Sequence, residues 1–440
     1  MSMRLIKYRY HLVVLVLSTV VLGLSKCATE EDEKSTILLA TSARPLTDIK
    51  FEATQQRIKR GEYLTNGILM CFTCHSPRDT TKPGFPPVEA KKGGGAILYE
   101  TKEERLVSPN ISPDKETGAG NWTDDMLARA IREGVGHDGR ALSLPMYWGS
   151  FRELSDEDLA SVVVYLRTIK PVKNKLPKRR FSPEREKRLQ GRPEPLLTPV
   201  AALDLSDPVT RGRYYIRTAD CIGCHTGWYK RNPGIFGGGN KVATYYDTSY
   251  VFSTNITPHE TGLKGWTPEL FINVIRTGKG GVLQPRMPWV SYKNMTDEDL
   301  TAILAALQKL HPVNHKVVNG IKETYCEVCE MAHGNGENNK IIPPKAVPFN
   351  KALYPDFVGT YRHPEEDISI EVTLKDGKLF IKEEGDPVEL IPVGENRFEA
   401  LGFPSPAGFR RDEKGKVKWL IEYYIEEVLW EKQETSKSKK

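Results

Sequence analysis

The spacing of apolar residues changes character three times along the chain. Leu12 to Leu24 form an apolar run that follows Arg4, Lys7 and Arg9 and ends in small and polar residues. A basic flank followed by so short a run predicts an export signal peptide. At about 1.5 Å per residue the run covers about 20 Å, short of the roughly 30 Å of a bilayer core. From about residue 51 to 316 the apolar positions recur at helical spacing. Leu159, Val162, Val163 and Leu166 share one face, with a capping-box-like start at Ser155 and Asp158 and a stop at Pro171. Leu300, Ile303, Leu304 and Leu307 repeat that pattern between Thr296 and Pro312, and Pro268 and Gly278 bracket a helix striped by Leu270, Phe271, Val274 and Ile275. From about Tyr354 the period becomes two: Ile368, Ile370, Val372 and Leu374 precede an Asp376-Gly377 turn, and Leu379 and Ile381 follow it. Further runs from Arg397 to Leu401 and Val417 to Tyr424 continue the strands.

The chain has 440 residues, 39% hydrophobic and 27% charged, enough to build more than one packed core. A mean hydropathy of -0.45 excludes a polytopic membrane protein. The net charge of +6 is local: residues 170–192 carry ten Lys/Arg against Glu184 and Glu186, a +8 that leaves the remainder at -2. One basic segment on a near-neutral chain reads as a solvated linker or an anionic-surface contact, and no nucleic-acid partner is expected.

Cysteine carries the chemistry. Apart from Cys27, the cysteines form three CxxC pairs, and two of them end in His: Cys71, Cys74 and His75, then Cys221, Cys224 and His225. CxxCH is the attachment motif of c-type haem. Each thiol adds across one haem vinyl group, the two-residue gap sets the sulfurs one helical turn apart, and the next residue presents its imidazole to the iron.

The surroundings of the two motifs repeat. RGEYL at Arg60 corresponds to RGRYY at Arg211, NISPDKETGAGNW (Asn110 to Trp122) to NITPHETGLKGW (Asn255 to Trp266), and SDEDLASVVVYL to TDEDLTAILAAL. Met146 in LPMYW and Met287 in RMPW occupy matched places after the third element of each repeat. The offset drifts from 150 at Cys71/Cys221 to 141 at Met146/Met287, as expected of a whole domain duplicated. His137 and His259 do not repeat at equivalent positions, which leaves Met146 and Met287 as the favoured sixth iron ligands.

Over residues 51 to 315 the chain resembles the di-haem cytochrome c family, especially the cytochrome subunits of membrane-bound periplasmic dehydrogenases. The resemblance rests on NISPDKETG, NITPHETG, the Met loops and the SDEDL-type helices. It implies two tandem all-α cytochrome c domains, two covalently bound haem c, and Met146 and Met287 as distal ligands. FVGTY (Phe357 to Tyr361), LKDGKLF and ENRF resemble small lipocalin-like β-barrel domains appended to other exported bacterial proteins. Cys27 stands where a mature bacterial lipoprotein begins, in GLSKC, which resembles a lipobox apart from Lys26.

The third pair, Cys326 and Cys329, has Glu330 where the axial His would stand, and His333 comes three residues late. A local disulfide is the expectation in an oxidising compartment, with a metal or redox pair, or a degenerate haem site, as alternatives. The expected organisation is a signal peptide or membrane anchor over 1–26, a tether over 27–50, cytochrome c domain 1 over 51–172 and a basic, Pro-rich linker over 173–205. Domain 2 follows over 206–316, a linker with the CxxC pair over 317–350, a β-barrel-like domain over 351–432 and a tail over 433–440. The function expected is electron transfer from a quinol-linked donor or dehydrogenase to an oxidase or small cytochrome, by a periplasmic or cell-surface protein held to the membrane at its N-terminus. The competing expectation is a haem enzyme with one open or unusually ligated iron, peroxidase-like or thiosulfate-oxidising.

Overall fold

The structure is a computed structural model that describes residues 38–143, 145–227, 233–243, 250–278, 287–334, 336–340, 343–364, 367–383, 385–400 and 405–433. The expected signal peptide and Cys27 lie outside the described residues. Among the described residues no helix is long and apolar enough to cross a membrane. The chain divides into two units, one running to Ala201 without residues 66–69, the other formed by those four residues and everything from Ala202.

In the first unit, helix α1 (Gln55–Asn66) precedes the short α2 (Cys71–Cys74), a hairpin of β1 (Ala96–Glu100) and β2 (Arg105–Ser108), α3 (Asp124–Glu133), α4 (Trp148–Phe151) and α5 (Asp156–Thr168). Thr123 and Ser155 cap α3 and α5, their side chains accepting from the amides of Met126 and Asp158. α5 is buried almost all round, with Leu159, Val162, Val163, Val164 and Leu166 each at most 5% exposed. Gly61 lets α1 press onto α5: a Cβ added there would lie 2.0 Å from the Ser161 carbonyl oxygen. The two-stranded hairpin departs from the all-helical expectation.

The basic segment is anchored at several points along its length. Arg179 is 7% exposed, pairs with buried Glu186 at 2.7 Å and donates to the Ala141 carbonyl. Its backbone neighbour Arg180 exchanges hydrogen bonds with Arg105 at the edge of β2. Phe181 and Leu189, the latter on α6 (Pro183–Gln190), join Leu98, Leu106 and Ala141 in a small core, and Arg185 covers the Phe181 ring at 3.8 Å. Apolar anchors and paired guanidinia dock this stretch at a few points, while Lys170, Lys173, Lys175, Lys178, Lys187, Arg188 and Arg192 stay exposed. The described end of the expected tether is also docked. Arg44 holds Asp125 and Glu133 of α3 at 2.6 and 2.8 Å, and Ala40 and Thr41 donate to the carbonyls of Gly139 and Gln190.

The second unit opens with the same series: α7 (Pro208–Thr218), α8 (Cys221–His225), a hairpin of β3 (Lys241–Ala243) and β4 (Tyr250–Phe252), α9 (Pro268–Thr277), α10 (Trp289–Tyr292) and α11 (Asp297–Leu307). Gly212 repeats the role of Gly61, with a Cβ there 2.0 Å from the Ala302 carbonyl oxygen on α11. A further hairpin, β5 (Val318–Cys326) and β6 (Met331–Gly334), follows.

The chain then forms a short helix α12 (Tyr354–Phe357) and eight antiparallel strands: β7 (Gly359–Arg362), β8 (Ser369–Lys375), β9 (Lys378–Lys382), β10 (Val388–Gly394), β11 (Arg397–Glu399), β12 (Ala407–Arg411), β13 (Val417–Tyr423) and β14 (Glu427–Lys432). They close into a barrel through the β14–β7 pair. Eight strands leave an interior just wide enough for side chains. Here it holds Tyr361, Ile370, Leu379, Ile381, Phe398 and Phe409, and Phe357 stacks on Phe409 with ring centroids 4.2 Å apart. At the edge of the barrel His311 accepts from Arg397 at 2.8 Å and donates to Glu399 at 3.0 Å, tying β11 to the segment after α11.

Candidate functional site

Both CxxCH motifs fold into single-turn helices that begin after a residue with left-handed backbone, Met70 (φ 52) and Asp220 (φ 55). That turn brings each cysteine pair to one side of the chain, where all four sulfurs are free and half-buried. His75 Nδ1 donates to the Pro109 carbonyl at 2.8 Å, and His225 Nδ1 donates to the Thr254 carbonyl at the same distance. A carbonyl only accepts, so Nδ1 carries the proton and Nε2 keeps its lone pair. Burial holds both imidazoles below their ordinary pKa, with the carbonyl hydrogen bonds opposing it. Neutral imidazole with a fixed tautomer is the form that binds a metal.

The loops that carry those carbonyls are built alike. Asn110 is 3% exposed; its Oδ1 accepts from the amide and hydroxyl of Ser112, and its Nδ2 donates to the Val172 carbonyl at 2.7 Å. Asn255, also 3% exposed, accepts from Thr257 amide and hydroxyl and donates to the Val313 carbonyl at 2.6 Å. Each asparagine thus staples the NIS or NIT loop to the chain leaving the last helix. A glycine triplet supports the other flank: Gly95 donates to the His75 carbonyl at 2.9 Å and Gly238 to that of His225 at 2.8 Å. A Cβ on Gly95 or Gly238 would strike the amide nitrogen of Asn110 or Asn255.

Met146 and Met287 are half-buried, and each carbonyl accepts at 2.7 Å from the amide of the Trp two residues on, Trp148 or Trp289. The Trp148 ring lies against Gly134 at the end of α3, with Nε1 buried and without a hydrogen-bond partner. A buried donor with no acceptor and two half-buried thiols in each motif fit a bound group with polar edges. The rival histidines have unlike surroundings, and His137 Nδ1 is buried without a hydrogen-bond partner among the described residues. His137 stacks on Trp122 with centroids 4.2 Å apart, and His259 Nδ1 shares hydrogen bonds with Thr261.

Cys326 and Cys329 are free cysteines here, both 0% exposed, which replaces the expected disulfide. Their sulfurs lie with the rings of His315 and His333 in one buried cluster. His315 had no part in the reading of the motifs. The signal for it was positional: it follows Asn174 by 141 residues, the same offset as Met146 to Met287.

No protein-family model matches the chain. It is 26% identical over 334 residues to the cytochrome c subunit of an alcohol dehydrogenase (quinone) of Gluconobacter oxydans, covering 67% of each chain. To the cytochrome subunit of a fructose dehydrogenase of Gluconobacter japonicus it is 27% identical over 287 residues, 61% of this chain and 55% of that one. A di-haem c-type cytochrome of Cereibacter sphaeroides is 30% identical over 109 residues, 23% of this chain and 32% of that one. The chain therefore spans about two thirds or less of the length of these relatives. By these likenesses the chain is a homologue of the cytochrome c subunits of dehydrogenases.

Proposed function

We propose that the chain is an exported di-haem c-type cytochrome that carries electrons from a dehydrogenase or quinol-linked donor to an oxidase or small cytochrome. The observation that carries this reading is the paired geometry of His75 and His225, each with Nδ1 committed to a backbone carbonyl 2.8 Å away. In this reading residues 51–172 and 206–316 are two cytochrome c domains. When bound, each haem supplies a one-electron redox centre. Cys71 and Cys74 hold the first through thioethers and Cys221 and Cys224 the second, while His75 and His225 offer Nε2 to the iron. Met146 and Met287 would supply the remaining protein ligand to each iron, an arrangement that would suit electron transfer and not bond chemistry. The dehydrogenase relatives support a dehydrogenase as donor, and export to the periplasm or cell surface follows from the N-terminal signal pattern and from haem attachment to CxxCH.

Paired replacement tests the assignment. Cys71→Ala with Cys74→Ala lowers the covalent haem of the mature protein from about two per chain to about one, and Cys221→Ala with Cys224→Ala does the same, read by intact mass and pyridine haemochrome. Two haems surviving either replacement would refute it.

A further inference from the structure

The sulfurs of Cys326 and Cys329 and one ring nitrogen each from His315 and His333 all lie within 4.8 Å of one another. All four residues are between 0% and 1% exposed. We infer that these four residues form a closed structural zinc site, separate from both CxxCH motifs and independent of the haem reading.

The hairpin builds most of it. Cys326 ends β5, and the turn passes through Glu330, whose left-handed backbone (φ 56) folds Cys329 back toward it. The register pairs Cys326 with Met331, so Cys326 and His333 share one face of the hairpin as diagonal neighbours. Val328 and Met331 pack around the thiols and exclude water.

His315 comes from the chain before the hairpin, and its origin is informative. In the first repeat Asn174 donates from Nδ2 to the Gly94 carbonyl at 2.8 Å. At the equivalent place His315 donates from Nδ1 to the Gly237 carbonyl, also at 2.8 Å. Asparagine already satisfies that carbonyl. The imidazole keeps the bond and adds a second nitrogen, Nε2, 3.7 Å from the Cys326 sulfur. A carbonyl holding Nδ1–H so that Nε2 faces the metal is the usual outer support of a ligating histidine. His333 supplies the second observation: it is fully buried and, among the described residues, neither ring nitrogen has a hydrogen-bond partner. A buried imidazole in that state costs free energy that a metal bond removes.

Two thiols and two imidazoles are the donor set and number of tetrahedral zinc. Zinc(II) displaces the two thiol protons, and the resulting dication with two thiolates is neutral overall, as a fully buried site requires. Copper(I) among the same donors would leave a buried net negative charge.

The test is metal analysis of the full-length protein matured in a periplasm, with zinc absorption spectroscopy on the same sample. The expected result is about one zinc per chain with two sulfurs at about 2.3 Å and two nitrogens at about 2.0 Å. Cys326→Ser and His333→Ala each drop zinc below about one tenth per chain while covalent haem is unchanged. A Cys326–Cys329 disulfide by peptide mass, copper in place of zinc, a third haem, or zinc coordinated without sulfur would overturn the assignment. The spectrum of the unmodified protein decides the matter even if a variant fails to fold.

Discussion

At the scale of single residues, the two repeats act as controls for each other. Met146 and Met287 stood out as candidate ligands only because they occupy matched places, for a lone Met is ordinary core filling. Met146→Ala is expected to open the first iron to carbon monoxide, from none bound to about one per chain, with the haem still attached. A closed, low-spin spectrum in that variant would mean another sixth ligand. Asn110 and Asn255 stood out in the repeat, yet a core role and a hydrogen-bonding role looked alike until their partners were seen. Asn110→Ala strips four side-chain hydrogen bonds, two of them buried, and leaves the Val172 carbonyl only a long bond from the Ser112 hydroxyl, at a cost of about 1–3 kcal/mol to the first unit. A thermal melt of that variant checks the loss, and Asn255→Ala should do the same to the second unit. Glu422 gives a pH signature in the barrel. Burial raises its carboxyl above the ordinary 4.5, although Trp430 donates to it at 3.1 Å. A raised acid binds its proton more tightly when folded, so its contribution favours the barrel at low pH and is lost as pH rises from 4.5 through the folded value. Glu422→Gln keeps an acceptor for Trp430 and should flatten that dependence, measured as barrel amide exchange against pH. An unchanged slope would place the titration elsewhere.

At the scale of elements, periodicity identified the helices and strands well where one face meets a core. α5 begins at the capping residue read from the sequence, Ser155, α11 begins after Thr296 as expected, and Pro268 and Gly278 bracket α9. The small hairpins escaped because strands of three to five residues carry too few alternations to stand out from loops. The basic segment was legible only in part, for a different reason. Charge density predicted solvent, yet Phe181 and Leu189 anchor it and Glu186 neutralises Arg179 inside, contacts invisible to composition. The helix crossings carry the sharpest prediction at this scale. Gly61→Ala and Gly212→Ala each force a methyl against a backbone carbonyl, costing about 1–3 kcal/mol of stability as overpacking does. Equal stability to the wild type in melts of either variant would show that α1 or α7 does not cross so closely.

At the scale of the whole molecule, the duplicated series of elements and the relatives among dehydrogenase subunits support one reading, and the eight-stranded barrel is an addition to it. The barrel was legible from its period of two and its Asp376-Gly377 turn. Its packed interior was not, because inward aromatic residues look the same in a filled barrel and in a hollow one. The third CxxC pair was read against the haem motif, so His333, four residues after Cys329, counted as a misplaced axial ligand and His315, eleven residues before Cys326, was passed over. The account stands or falls on two closed haems. The deciding measurement is the visible spectrum of the mature protein, ferric and ferrous, with a haemochrome count against intact mass. About two covalent haems per chain, both low-spin with a methionine-to-iron charge-transfer band, are the expected result. A haem number other than two, or a high-spin centre open to external ligands, would contradict it.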